Sequence, residues 1–236
     1  RGDDMSELQE RLFAQGRSGG DRSVLLVLQG LDTAGKGGIV RHVMGMVDPQ
    51  GVKLASFGVP TPEEREHHYL WRIEKQLPPP GRIGVFDRSH YEDVLVVRVD
   101  ELVPREVWSQ RYDEINAWEQ RVIEAGTTLV KVALIVSYDE QGARLMERLE
   151  RPDKDWKISP GDKWPAFQDA YADVFRLTST EQAPWYVVPA DKKWYARLAV
   201  TEILTRTLEE MNPTWPPATF DVAEMKARLA ATSGRA

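Results

Sequence analysis

Apolar residues in this chain gather in short unbroken runs separated by longer stretches of helical period. Residues 23–28 (SVLLVL) form one such run, the pattern of a strand buried on both faces. Similar runs occupy 53–57, 83–86, 130–136 and 185–188. Helical patterns fall between them at 35–46, 63–77, 105–124, 140–151 and 192–211. In the last of these, Val200, Ile203, Leu204, Leu208 and Met211 share one stripe. Alternation of this kind predicts an α/β fold: a parallel five-stranded sheet with helices on both faces. Pro78-Pro79-Pro80-Gly81 ends one helix and turns the chain into the third strand, and the tail after Asn212-Pro213 is expected to wrap the surface or fray.

Length and composition narrow the class. The 236 residues suit a single domain spanning 1–236, long enough to bury about 70–75% of the unfolded surface without disulfides or a structural metal. There is no cysteine, which excludes thiol catalysis and thiolate zinc sites and fits a reducing cytoplasm. No run reaches the ~20 apolar residues that span a bilayer, and Arg1-Gly2-Asp3-Asp4 is unlike a signal peptide, so no membrane partner is expected. The net charge of −6 argues against nucleic acid, and any polyanion must meet a local positive patch. The sequence leaves a homo-oligomer open.

The first strand runs into Gly30-Leu31-Asp32-Thr33-Ala34-Gly35-Lys36-Gly37, which fits G-x-x-x-x-G-K in the strand-to-helix setting that motif requires. Gly30, Gly35, Gly37 and Gly38 let backbone N–H groups turn toward phosphate oxygens, and Lys36 adds a point charge at the helix N-terminus. Two features depart from the usual loop. Gly37 stands where a metal-binding Ser or Thr is expected, and a carboxylate, Asp32, lies inside an anion-binding loop. Asp32 makes chemical sense there if Mg2+ lies between it and the phosphates, or if it orients an acceptor oxygen; the alternative is a solvated turn aspartate.

The third strand ends in Phe86-Asp87-Arg88-Ser89. An apolar strand closing on Asp is the form of a Walker B carboxylate, and Arg88 could grip phosphate in a fork. Glu92 and Asp93 follow, as nucleotide-side residues or as carboxylates favoured at a helix N-terminus. Arg144, Arg148 and Arg151 recur at i, i+4 and i+7 and so share a helical face. Lys154, Lys157 and Lys163 extend the positive set through an irregular stretch, 148–164, which reads either as a solvated ion-paired loop or as a lid over the active site. The histidines (His42, His67, His68, His90) have no zinc-binding spacing, and no G-x-S-x-G is present.

With these residues in hand, the chain resembles the polyphosphate kinase 2 family from Ser23 to Asn212. Four stretches carry the resemblance: LQGLDTAGKGG at 28–38, FDRSHYEDVLVVRV at 86–99, RLERPDKDWKIS at 148–159 and APWYVVPADKKWYARLAV at 183–200. The resemblance implies a P-loop kinase core with a helical lid at about 144–164, Mg2+ dependence and a polyphosphate donor. It implies that Asp32, Lys36, Asp87, Arg88 and Arg148 position metal and phosphates, with Asp32 and Asp87 as the metal carboxylates. Gly30, Gly35, Gly37, Gly38, Arg144, Arg151, Lys154 and Lys157 would then hold phosphate. The HYEDVLVVRV and PWYVVPADKKWYARLAV stretches resemble the subgroup that phosphorylates both nucleoside monophosphates and diphosphates. Several members of that subgroup carry Asn where this chain has Asp87, so ADP/GDP and AMP/GMP both stand as acceptors. Two other readings of the motifs remain: an ATP-dependent P-loop kinase for a nucleoside, nucleotide or other small molecule, and a non-catalytic nucleotide-sensing module.

Overall fold

All five expected strands form in the computed structural model, which describes residues 1–151 and 163–233. They are β1 (Ser23–Gly30), β2 (Val52–Ser56), β3 (Ile83–Asp87), β4 (Thr127–Ile135) and β5 (Trp185–Pro189), parallel throughout in the order β2-β3-β1-β4-β5. Helices α1 (Gly2–Arg17) and α2 (Lys36–His42) flank β1, and single turns α3 (Pro62–Arg65) and α4 (Trp71–Glu74) lie between β2 and β3. Between β3 and β4 come α5 (Val96–Val99), α6 (Arg105–Trp108) and α7 (Arg111–Glu124). Helices α8 (Tyr138–Leu149) and α9 (Trp164–Thr178) separate β4 from β5, and α10 (Lys193–Met211) and α11 (Val222–Ser233) close the chain. No helix among the described residues is long and apolar enough to cross a membrane.

The unbroken apolar runs have a direct cause. Val24, Leu26 and Leu28 of β1 enter one core with α1, α2 and α10, while Leu25 and Val27 enter the other with α7 and α9. Every position of such a strand is inside, so alternation disappears. Strand β1 lies at the centre, and the chain crosses from β3 on one side to β4 on the other. The carboxyl end of β1 is therefore the switch point at which an open parallel sheet binds ligands.

Several helices differ from expectation. The 63–77 pattern yields only two separate turns, because residues 63–68 (EEREHH) offer no apolar side chain to bury and a short helix without packing does not persist. A Thr61–Glu64 capping box starts the first turn, and Leu70 and Ile73 anchor the second. The 35–46 pattern is helical only to His42 and finishes as a 3-10 turn, Met44–Met46, around Gly45. The 105–124 pattern is interrupted at Ser109-Gln110. Helices α1, α5, α9 and α11 lie outside those five patterns, the last in the tail expected to wrap or fray.

Candidate active site

Gly30 ends β1 where a Cβ would sit 2.8 Å from the Leu134 carbonyl oxygen, so only glycine lets the chain turn so close to β4. The loop then passes through Thr33, at φ 67, and Gly35, at φ 107, two left-handed positions that curl its N–H groups inward. A non-glycine residue in that region is strained, and such strain is found where a site requires it. Lys36 opens α2 and is buried, with Nζ donating to the Gly30 carbonyl at 2.6 Å. Burial pulls its ammonium below the ordinary lysine range, opposed chiefly by the nearby Asp87. At Gly37 an added Cβ would meet nothing within 4 Å, so packing does not explain glycine there.

Asp87 closes β3 beside Leu28 of β1 and Ser56 of β2. The next residue, Arg88, is the second strained non-glycine of the site, at φ 63, its N–H donating to the Leu28 carbonyl. Gln29 locks the turn that follows: its amide oxygen accepts from Ser89 Oγ at 3.1 Å and its nitrogen donates to Glu92 at 2.9 Å.

Helix α8 begins at Ser137, whose side chain accepts from the Glu140 N–H, and lies across the phosphate loop. Gln141 donates to the Asp32 carbonyl, and Arg148 donates to Asp32 Oδ1 at 2.9 Å. Arg144 is buried and committed to backbone. It donates to the carbonyls of Thr33 (2.9 Å), Ala190 (2.8 Å) and Asp191 (2.8 Å) and pairs with Glu140. It therefore braces the loop against the β5–α10 connection.

These elements enclose a cleft of about 590 Å³. Lys36, Arg88, Arg144, Arg148, Arg151, Lys193 and Arg197 line it, against three carboxylates, Asp32, Asp87 and Glu147. The structure thus brings Asp32, Lys36, Asp87, Arg88, Arg148, Arg151 and the loop glycines 35, 37 and 38 to one wall, while Gly30 sits at its foot. A smaller cavity of about 160 Å³ adjoins it, walled by Leu31, Leu95, Val96, Trp164, Phe167 and Tyr171 together with Asp32, Arg88 and Glu92. Asp32 and Arg88 line both.

Other expected residues fall elsewhere. Asp93 is buried away from both cavities, its Oδ1 paired with Arg111 at 3.2 Å, and burial, opposed by Arg111, pushes its carboxyl up to about 6. Lys154 and Lys157 lie outside the described residues, as does the stretch 152–162 of the expected lid. Lys163 does line the smaller cavity, and pairs with Asp100 at 2.6 Å. Sequence reasoning missed Lys193 and Arg197, which stand one turn apart on α10 and face the cleft. It also missed Trp164, Phe167 and Tyr171, which stand at i, i+3 and i+7 on α9.

The residues present suit a magnesium ion. Asp32 Oδ1 is occupied by the Thr33 N–H and Arg148, yet Asp32 Oδ2 is buried with no hydrogen-bond partner. Asp87 shares its cleft, and the described residues contain no cluster of three or more His, Asp or Glu side chains that could hold a metal. Mg2+ keeps several waters and is bound through one or two carboxylates plus substrate phosphates, which is the set this cleft offers.

A parallel sheet with a glycine-rich loop at its switch point, a buried loop lysine and a strand-end Asp-Arg defines a P-loop phosphotransferase. Residues 3–216 match the model of the family described as Polyphosphate kinase 2, and the chain belongs to that family. It is 48% identical over 217 residues to the AMP/ADP-polyphosphate phosphotransferase of Meiothermus ruber, covering 90% of this chain and 80% of that protein. It is 41% identical over 232 residues to the ADP-polyphosphate phosphotransferase of Rhodopseudomonas palustris, covering 91% of this chain and 79% of that protein. Among solved structures, polyphosphate kinase 2 from Arthrobacter aurescens superposes with a TM-score of 0.93 at 52% identity, covering 98% of this chain and 83% of that one.

Proposed function

We propose that this protein transfers a phosphoryl group between inorganic polyphosphate and the terminal phosphate of a nucleotide, with Mg2+, accepting both nucleoside diphosphates and monophosphates. The observation that carries the reading is that Asp32 and Arg88 line two unlike cavities, one cationic and one walled by aromatic and aliphatic side chains. A polyanion matches the first. The apolar walls of the second match a nucleoside, whose base offers a face for stacking. The reacting phosphoryl group then passes between them beside Asp32 and Arg88.

In this reading polyphosphate lies along Arg148, Arg151, Lys193 and Arg197, with Lys154 and Lys157 of the lid adding to the set. Loop N–H groups and Lys36 hold the terminal phosphates in line with the acceptor oxygen. The bond from phosphorus to the bridging oxygen of the chain breaks as the bond to the nucleotide oxygen forms. Polyphosphate leaves one unit shorter, and no covalent enzyme intermediate is needed. Arg88 and Arg148 stabilise charge on the transferring group. Asp32 and Asp87 would hold the Mg2+, which supplies charge neutralisation among the crowded phosphate oxygens. Arg144 acts from behind the loop, holding Thr33 in place.

The test is purified protein with Mg2+ and polyphosphate, offered AMP, ADP, GMP and GDP in turn, with products separated by ion-exchange chromatography. AMP should yield ADP and then ATP. Turnover with ATP as donor and a small hydroxyl acceptor, but none with polyphosphate, would assign the cleft to an ordinary kinase. Absence of turnover with any donor would leave a binding module.

A further inference from the structure

One group of buried charges has no part in the reaction just described. Glu119 of α7 and Lys131 of β4 are 2% and 0% exposed, packed against the turn that follows Asp87-Arg88. Glu119 Oε1 accepts from His90 Nε2 at 3.0 Å and from the Tyr91 hydroxyl at 2.7 Å, and Oε2 accepts from Lys131 Nζ at 2.7 Å. Lys131 also donates to the Tyr91 oxygen at 3.1 Å and to the Thr178 carbonyl at 2.7 Å, so three oxygens surround its ammonium. Burial keeps the His90 imidazole neutral, donating from Nε2 while Nδ1 has no partner.

A buried ion pair stabilises a fold little better than apolar residues of the same volume, but when fully satisfied it specifies geometry tightly. The geometry it would specify here is a strained one. Arg88 holds a left-handed backbone, and such a conformation persists only where its surroundings over-determine it. On the strand side that work falls to the Arg88 N–H bond to Leu28 and to the Gln29–Ser89 bond. On the far side the two residues that follow Ser89, His90 and Tyr91, are both held by the single carboxylate of Glu119.

We propose that Glu119, fixed by Lys131, is a positioning residue for phosphoryl transfer: it anchors the His90-Tyr91 turn and thereby holds Arg88 at the junction of the two cavities. The inference rests on the reading of Arg88 as a group that touches the transferring phosphate. If Arg88 is displaced, the loss falls on a contact made in the transition state, so kcat drops while both KM values stay near their original levels.

The experiment is a mutant cycle with polyphosphate and ADP, run well below the unfolding midpoint on protein whose folded fraction is measured by circular dichroism. Glu119→Gln should lower kcat about tenfold with each KM within about twofold, since small misplacements of a reacting group are costly. In an Arg88→Lys background, already slow but still measurable, the same change should cost little more, because the group it positions is no longer competent. Tyr91→Phe removes one of the three bonds to Glu119, together with the Lys131–Tyr91 bond, and keeps the ring, so it should show a smaller loss with the same dependence on Arg88; it carries the test if Glu119→Gln does not fold. Wild-type kcat in the folded variants, or losses that multiply independently of Arg88, would overturn the inference and leave a purely structural ion pair. Wild-type turnover in Arg88→Lys alone would remove the reading of Arg88, and the inference with it.

Discussion

Asp32→Asn separates chemistry from folding more cleanly than any other change at this site. In the resting protein the carboxylate does two different things with its two oxygens. Oδ1 accepts the Thr33 N–H at 2.8 Å and Arg148 at 2.9 Å, and an amide oxygen in that position would keep both bonds while losing the charge. The Arg148 and Asp32 side chains are 24% and 17% exposed, so the lost charge pairing is worth about 1 kcal/mol or less. Oδ2 has no partner, so an NH2 group placed there breaks no existing bond. Stability should therefore move by no more than about 1 kcal/mol. Catalysis has more to lose. A preorganised group facing charge that develops in the transition state is worth roughly 3–4 kcal/mol, and each 1.36 kcal/mol is about tenfold in rate. The variant should melt within a few degrees of the wild type yet form ATP from polyphosphate and ADP at least about a hundredfold more slowly, and should need more Mg2+ for half-maximal rate. ATP formation followed with luciferase across a Mg2+ titration, beside a thermal melt, measures all three. Turnover within about threefold of wild type in a folded variant would refute the metal role of Asp32. A loss of several kcal/mol in stability would mean the carboxylate is structural.

Further outcomes follow from neighbouring residues. Arg144→Met should cost about 2–4 kcal/mol of stability by chemical denaturation, because the Thr33, Ala190 and Asp191 carbonyls lose a shared donor, whereas Arg148→Ala should lower turnover about a thousandfold. Lys193→Ala and Arg197→Ala should each raise the polyphosphate KM several-fold and flatten its rise with salt, as expected for charges screened over about 8 Å, with little change in the ADP KM; a loss confined to kcat would count against their place along the donor. Asp93, pushed up to about 6 by burial, binds its proton more tightly folded than unfolded, so its contribution is fully present below about pH 4 and is lost as pH rises through 6. The stability of wild type relative to Asp93→Asn should accordingly fall by up to about 3 kcal/mol between pH 4 and 7 in urea titrations, and a pH-independent difference would refute the assignment.

The strands were legible because burial on both faces leaves a signal in a handful of residues, as in SVLLVL, and needs no knowledge of neighbours. Helix lengths were less legible. Residues 63–77 have acceptable propensity, but whether a turn survives depends on an apolar face meeting a core, and EEREHH has none. Conversely α1 carried a readable stripe, Met5, Gln9 and Leu12, whose central member is a buried glutamine that masks the period. The glycine loop and the strand-end Asp87-Arg88 were found from local spacing, since the chemistry there is made by consecutive backbone atoms. Lys193 and Arg197 also stand at helical spacing, but only the strand order that places β5 beyond β4 brings the start of α10 against the phosphate loop.

The arginines of α8 mark the limit of what spacing can say. The i, i+4, i+7 rule correctly places Arg144 and Arg148 on one face, and both do meet the phosphate loop. It cannot say which atom of the loop each one meets, and that atom decides the role. One turn nearer the sheet, the face looks onto carbonyls of Thr33 and of the β5–α10 connection, groups 111 and 46 residues away along the chain, and a guanidinium there becomes a buried brace. One turn further out, the same face looks onto the Asp32 carboxylate at the junction of two cavities, and the guanidinium pairs with it inside the cleft. The brace also constrains any closure of the helix over substrate. With Ser137 tied to Asp191, Gln141 to the Asp32 carbonyl and Arg144 to three more carbonyls, the first two turns of α8 move with the loop.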